Sequence, residues 1–499
     1  MEEQRVILSV FLCKSLTKTK NCGTIYKTVG VIRMKEFVFP SRIVASVGVQ
    51  NAENLVKKCS LQIGLTEGED CLAACTAGGY VILDYGKELC ASLRLLTFVP
   101  ARAKVHVRFG ESLTECCATL GGEQNATNDH AIRDYEVELP EYSDITLPQT
   151  GFRFVRIDFL GDVRLKGAVA VSATLRKKAK YIYHGCDERI KAIFETAKHT
   201  VDICASSGYV WDGVKRDRLV WIGDMHPEML ALTSLYGRVP AIERSLDFVK
   251  KQTPLPGWMN TFPTYSMWWI IIVADYFERT GATAFVKKQI PYLKGLLAQM
   301  DGCVKEDGRL AYPFLFVDWP TQGTPQVEPG SRAINIMAAK KAIALLKAFN
   351  RDTTTAEEIL ARLLKVEIDC GGKKQVIGLK HFAVGITDEE KKQLVEGNAR
   401  GMSTFMSYYI LKAVASFDKE KAVEMMKEYY GAMLDIGATS FFEDFDIEWT
   451  KNACRIDEFP QAGQKDIHGD FGAYCYKGFR HSLCHGWSAG VVTFIEEEC

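Results

Sequence analysis

The densest group of chemistry-bearing side chains lies between Tyr209 and Glu228, in YVWDGVKRDRLVWIGDMHPE. It carries Asp212, Arg216, Asp217, Arg218, Trp221 and Asp224, with glycines at Gly213 and Gly223. Acids and arginines beside tryptophans are what cleavage of a glycosidic bond requires. One carboxyl must hold a proton for the departing oxygen, others must stay ionised to grip hydroxyls, and an indole face packs on the C–H side of a pyranose. The plainer reading of DxxxRDR is a solvated turn laced with ion pairs. Its apolar company, Tyr209, Val210, Trp211, Leu219, Val220 and Ile222, argues against that, because such residues do not belong on a charged face.

Three further stretches carry candidates. DIGATSFFEDFD places Glu443 and Asp444 after small and aromatic residues, with Trp449 behind; an acid there is partly desolvated and open to pKa tuning, or else caps a turn. KDIHGDFGAYCYKGFRHSLCHGWSAG, from Lys465 to Gly490, gathers Cys475, His481, Cys484 and His485. Their spacing matches no common zinc site and the glycine-rich, aromatic surroundings suit a packed loop, so no metal is expected. Trp258, Tyr265, Trp268 and Trp269 in GWMNTFPTYSMWW, and Asp318 with Trp319 in FVDWP, form aromatic platforms with an acid, although helical tryptophans more often belong to a core.

DGVKRDRLVWIGD resembles the signature of the α-L-rhamnosidase family of inverting glycoside hydrolases. The resemblance spans about residues 184 to 490 and implies an (α/α)6 barrel catalytic domain. It implies that Asp212 and Asp224 line the sugar subsite, with Arg216 and Trp221 beside them, and that Asp217, the acid after the Arg, is the general acid. Many members carry Glu there, often as RDER; here the run is RDR, and Asp217 is one methylene shorter. The segment ending at Glu443 is similar to the family's Gly-x-Thr-Thr/Ser-aromatic-aromatic-Glu, whose Glu activates water. His485-Gly486-Trp487 resembles the segment that closes the subsite, which implies contacts from His485 and Trp487. The family draws sugar contacts from segments like those of Trp258, Asp318 and Trp319. No organic cofactor is implied, and no residues present themselves as ligands of a divalent ion.

The elements that must position these residues change character near residue 184. Before it, VILSVFL, EFVFPSRIVASVGV, GYVILDYG, AKVHVRFG, FRFVRIDFLG and AVAVSATL alternate with turn residues and predict a β-sandwich over 1–183. After it the apolar period becomes helical. ERIKAIFETAKHTVDICA, PEMLALTSLYG, AIERSLDFVKK, SMWWIIIVADYFERTG and AFVKKQIPYLKGLLAQM begin a series of about ten helices in 184–499. The expected architecture is therefore multidomain β + α, an N-terminal β-sandwich followed by an (α/α)6 barrel catalytic domain.

Lys+Arg and Asp+Glu both number 62, so nothing in the charge points to nucleic acid or an anionic membrane, and a neutral carbohydrate substrate fits better. The 16 cysteines are scattered through apolar segments, which predicts reduced, buried thiols. MEEQRVILSVFLCKS lacks the basic region and cleavage site of a signal peptide and reads as a strand of a cytoplasmic protein. The apolar run from Met267 to Val273 is too short to span a bilayer. Homo-oligomer formation is left open.

The function these readings predict is release of a terminal α-L-rhamnose, or a similar deoxy sugar, with inversion: Asp217 protonates the glycosidic oxygen while Glu443 deprotonates a water. The alternatives are another (α/α)6-barrel carbohydrate-active enzyme and a catalytically inactive carbohydrate-binding protein.

Overall fold

The computed structural model describes residues 36–99, 103–172, 177–473 and 477–499. The strand expected over VILSVFL and Cys475 lie outside the described residues. Lys35–Cys499 form one compact unit.

Alternating β-branched and aromatic residues produce strands β1 (Glu36–Val38), β2 (Arg42–Gln50), β3 (Ala73–Phe98), β4 (Ala103–Gly110), β5 (Asp134–Leu139), β6 (Asp144–Thr146), β7 (Thr150–Phe159) and β8 (Val163–Ser172). They pair antiparallel in the order β1-β8-β3-β7-β4-β5, with β2 and β6 also on β3. The 26-residue β3 pairs over both halves. Tyr80–Asp84 lie opposite β7, the register breaks, and Leu89–Ala91 rejoin it. The bend falls at Gly86, whose φ of 81° a side chain disfavours. The second half of β3, KELCASLRLLTF, was not anticipated, because its charged start breaks the alternation. Val81, Leu83, Leu93, Leu95, Val105, Phe152, Ile157 and Phe159 form this region's core.

Helices follow: α1 (Glu188–Cys204), α2 (Met225–Tyr236), α3 (Pro240–Gln252), α4 (Pro263–Thr280), α5 (Thr283–Lys287), α6 (Ile290–Cys303), α7 (Val327–Ala348), α8 (Thr354–Leu363), α9 (Lys374–Val384), α10 (Asp388–Val395), α11 (Ser407–Ala415), α12 (Lys419–Asp435) and α13 (Val491–Glu498). Local chemistry sets their ends. Asp187 caps α1 by accepting from the amides of Arg189 and Ile190, and prolines open α3, α4 and α6. AFVKKQIPYLKGLLAQM, expected as one helix, is two, because Pro291 has no amide hydrogen to continue a helix from α5. The helices α9 and α13 were not anticipated. In α9 the run Lys374–Lys380 is buried all round, so no polar face marks it as amphipathic.

The mixed β and α organisation expected from the sequence is observed, with every strand longer than two residues before 173 and every α-helix after 187 among the described residues. α2 packs on α4, α4 on α7, α7 on α9, α9 on α11, α11 on α13 and α13 on α2. All twelve residues of α2 are buried, whereas α3 and α8 bury one stripe. Among the described residues no helix is long and apolar enough to cross a membrane.

Strand β7 joins the sheet to the loops that follow. Arg153 meets both carboxylate oxygens of Asp84 at 2.9 and 3.1 Å, donates to the Gly437 carbonyl at 3.1 Å and reaches Asp457 at 3.3 Å. A buried guanidinium satisfied on all sides costs heavily to remove, since Asp84 and Asp457 are then left with only the exposed Arg42 and Arg455 as counter-charges. Arg153→Met should lower the free energy of urea unfolding by ~3–5 kcal/mol; a loss below about 1 kcal/mol, the worth of an exposed pair, would show that the junction is solvated.

Candidate active site

Three loops build the site. The first runs from the end of α1 to Asp224, the residue preceding α2; the second surrounds Glu443; the third precedes α13. Backbone hydrogen bonds stitch them together: the Glu443 amide donates to the Ser482 carbonyl and the His485 amide to the Phe441 carbonyl, each at 2.9 Å, and the Gly486 amide to the Asp212 carbonyl at 2.6 Å. Sheet and loop also meet closely, since a Cβ on Gly151 of β7 would lie 2.7 Å from the Val214 and Lys215 backbone.

Asp212 closes the first loop on itself. Its Oδ1 accepts from the Leu219 amide at 2.9 Å, and its own amide donates to the Leu219 carbonyl at 3.1 Å. The bulge so formed holds Asp217 and Arg218 at φ 52° and 55°, a left-handed pair costing roughly 1–3 kcal/mol per residue. Flanking arginines hold it. Arg216 Nε donates to the Arg480 carbonyl at 2.6 Å. Arg218 turns away from the site to the Gln149 carbonyl and side chain at 2.8 and 2.9 Å, with its guanidinium over Trp211.

Asp212, Asp217, Trp221, Asp224, Trp319, Glu443, His485 and Trp487 line one cavity, with about 350 Å³ of space that includes its open mouth. Arg216 sits at its wall: Nη2 donates to both Glu443 oxygens at 2.8 and 2.6 Å, and Nη1 donates to Asp217 Oδ1 at 3.0 Å. The Ser482 amide adds a third hydrogen bond to Glu443 at 3.1 Å. Trp221 Nε1 donates to Asp217 Oδ2 at 3.2 Å. His485 Nε2 stands 3.8 Å from an oxygen of each of Asp212, Asp224 and Glu443. Burial, with Arg216 nearby, holds the imidazole down to about 3, so it is neutral at ordinary pH.

Their surroundings raise the pKa of the other carboxyls. Burial first, then Asp217 and Asp224, push Asp212 well above the carboxylate range. Burial, Glu443 and Asp217 do the same to Asp224, against the Tyr265 hydroxyl that donates to it at 3.0 Å. Two sequence-predicted residues lie elsewhere. Asp318 is buried, accepting from the Thr321 amide at 3.0 Å and the Ser403 hydroxyl at 2.9 Å, and burial raises its pKa. Trp258 packs edge-on against Tyr312.

Sequence reasoning passed over Phe262 and Phe316 as lining residues, named Tyr265 only as part of an aromatic platform, and missed Glu228 and His130. Tyr265 lay within the aromatic stretch already noted, and Gly223 marks its place, because a Cβ there would fall 2.3 Å from the Tyr265 ring. Glu228 is one helical turn after Asp224 on α2, a spacing that puts both on one face. Its Oε1 is buried without a hydrogen-bond partner among the described residues, and a Cβ on Gly486 would lie 1.6 Å from that atom. His130 Nδ1 is 3.0 Å from Asp217 Oδ1; nothing local in the sequence announces it.

Glu111, Glu115 and His468 group as metal ligands do. The Lys215 ammonium already lies 3.2 and 3.0 Å from the two carboxylates and 3.3 Å from His468 Nε2, and it donates to the Phe479 carbonyl at 2.7 Å. It stands where a cation would, so this donor set does not fit a metal.

No protein-family model matches the chain, and no curated protein matches its sequence. Solved structures do. A rhamnosidase from Klebsiella oxytoca with rhamnose bound matches with a TM-score of 0.71 at 19% identity, over 93% of this chain and 96% of that one. A GH78-family rhamnosidase of Bacillus sp. GL1 matches at 0.64 and 18%, over 89% of this chain and 48% of that one. The α-L-rhamnosidase of Streptomyces avermitilis complexed with L-rhamnose matches at 0.62 and 15%, over 83% and 42%. The chain thus has the fold of rhamnosidases and spans about half the length of the latter two.

Burial and the neighbouring Asp224 and Asp212 also raise Glu228 well above its usual range. The unfolded carboxyl ionises near ~4.3, so the native state binds the extra proton and stability falls as pH rises from there through the raised value. Glu228→Gln should therefore flatten the decline of the thermal midpoint as pH rises above the unfolded carboxyl's ~4.3. Parallel curves for the two proteins would mean that Glu228 is ionised in the fold.

Proposed function

We propose that the chain is a glycoside hydrolase that releases a terminal α-L-rhamnose, or a closely similar deoxy sugar, with inversion. The observation that carries this reading is the single guanidinium of Arg216 joined to Asp217 on one side and Glu443 on the other, at the wall of an aromatic, carboxyl-lined cavity. The fold shared with rhamnosidases supports the sugar assignment. The architecture in this reading is a β-sandwich over 1–183 and an (α/α)6 barrel over 184–499.

In the reaction, Asp217 passes a proton to the glycosidic oxygen as the bond to the anomeric carbon breaks. Glu443 takes a proton from the water that attacks the opposite face. Arg216 stands between the two acids and donates to each. Asp212 and Asp224, protonated by burial, donate to sugar hydroxyls or ring oxygens and also accept from them. His485, neutral, adds a donor or acceptor between them without a charge. Trp221 and Trp319 supply apolar faces for the ring, and Trp487, bound through Nε1 to the Glu443 carbonyl at 2.9 Å and stacked on Phe405, stiffens the base.

A second assignment of the proton donor has one observation in its favour. Asp224 lines the same cavity and burial raises its pKa, whereas both Asp217 oxygens already accept hydrogen bonds from Arg216 and Trp221. In that case Asp224→Asn, rather than Asp217→Asn, loses the most activity on substrates with poor leaving groups and the least on activated ones.

Asp217→Asn and Glu443→Gln should each lower kcat on an aryl α-L-rhamnoside by ~10²–10⁴-fold while still unfolding cooperatively. Proton NMR of the first sugar released should show the β anomer, because a single displacement by water inverts the centre. An α product first, or a wild-type rate from either variant, overturns the assignment.

A further inference from the structure

We propose that His130 is a positioning residue that reloads Asp217 with its proton from solvent after each turnover; the proposal rests on Asp217 being the acid. His130 belongs to the loop between β4 and β5 and reaches across from the sheet to the first site loop. Its Nδ1 lies 3.0 Å from Asp217 Oδ1, while its own side chain is 36% exposed against 11% for Asp217. The imidazole is thus the wetter member of the pair.

The loop is built to hold it there. The Ala131 amide donates to the Asp129 carbonyl at 2.8 Å, closing a three-residue turn around His130, whose φ is 65°. Such turns are rare and strained for a residue with a side chain, and strain of this kind collects at functional sites. Asn128 locks the turn from one side, its Oδ1 accepting from the amides of Arg133 and Asp134 at 2.8 and 3.0 Å. Asp129 locks it from the other through an ion pair with Arg480 at 2.9 Å, and the Arg480 carbonyl in turn holds Arg216. Among the described residues, the charged and titratable groups facing the pair are Asp129 on its own loop, Arg216 beside Asp217, Arg480 on the third loop, and Asp212, Asp224, Glu443 and His485 in the shared cavity; Arg218 faces Gln149 instead.

Geometry gives the pair a purpose. Oδ1 of Asp217 accepts from Arg216 and Oδ2 from Trp221, so a proton on this carboxyl competes for lone pairs already in use, and a partner able to hand one over is needed. In the proposed cycle, Asp217 gives its proton to the glycosidic oxygen as the bond to the anomeric carbon breaks, and is left a carboxylate. His130 takes a proton from solvent and, as the imidazolium, passes the Nδ1 proton to Asp217 Oδ1. The ring is left neutral with its hydrogen on Nε2, and proton exchange with solvent restores the Nδ1 hydrogen before the next turnover. Glu443 releases to solvent the proton it took from the attacking water, so no net proton is gained or lost.

The test compares His130→Ala, His130→Gln and Asp217→Asn on two substrates, methyl α-L-rhamnoside, whose leaving alcohol needs a proton, and 4-nitrophenyl α-L-rhamnoside, whose leaving phenolate scarcely does. His130→Ala should lower kcat on the methyl glycoside by about 10-fold, less than the ~10²–10⁴-fold of the acid itself, and leave the nitrophenyl rate and both KM values nearly unchanged. The basic limb of its kcat profile should move to lower pH, and added imidazole should restore the rate. His130→Gln, which keeps a hydrogen bond but carries no proton, should behave like His130→Ala. Full activity in His130→Gln, an equal loss on both substrates, or an unmoved pH limb would overturn the proposal. A wild-type methyl-glycoside rate in Asp217→Asn would instead remove the reading on which it rests.

Discussion

One guanidinium among five carboxyl groups governs this site. Asp212, Asp217, Asp224, Glu228 and Glu443 crowd around Arg216, which is itself buried. Burying that many negative charges with a single positive one is not affordable in a low-dielectric interior. The structure resolves this by division: Arg216 hydrogen-bonds Asp217 and Glu443, and burial raises the pKa of Asp212, Asp224 and Glu228. Acids with raised pKa and acids bonded to the arginine then stand side by side in one cavity.

The position of Arg216 depends in turn on a second buried cation one residue earlier. Lys215 gathers Glu111 and Glu115 of the sheet region, His468, and the Phe479 carbonyl around one ammonium. Glu111 also accepts from the Ser482 hydroxyl, and Ser482 donates its amide to Glu443. The network therefore runs from the sheet, through two neighbouring residues of one loop, to the base. A sheet that supplied only packing would not need buried acids at this edge. Here Glu111 and Glu115 pair with Lys215 of the first site loop, Arg133 pairs with Glu115, and Arg153 joins Asp84 of β3 to Asp457.

Rigidity follows from the same arrangement. The three site loops exchange main-chain hydrogen bonds, and glycines at 151, 223 and 486 let backbone or side chains approach where a Cβ would collide. Loops carry function when a scaffold over-determines them. Left-handed Asp217 and His130 are tolerated on those terms, each strained and each pinned by flanking ion pairs or hydrogen bonds.

By itself the sequence determined the two kinds of secondary structure, the order in which they occur, and most residues of the cavity. Short-range signals carry that information: alternation for strands, three-and-four spacing for helices, and acids set among tryptophans where solvated charges have no place. It did not disclose β3's second half or α9, because pairing and all-round burial, rather than local pattern, make those segments regular. Nor did it separate Trp319, which faces the cavity, from its neighbour Asp318, which braces a turn, since both sit in one short loop and only packing chooses the side each turns to. Tertiary structure alone decided that Lys215 fills a would-be metal site, that Glu228 stands behind Asp224, and that His130, distant in sequence, meets Asp217. Each of those facts is a distance between segments far apart in the chain or a question of what excludes water, and neither is written in any local run of residues.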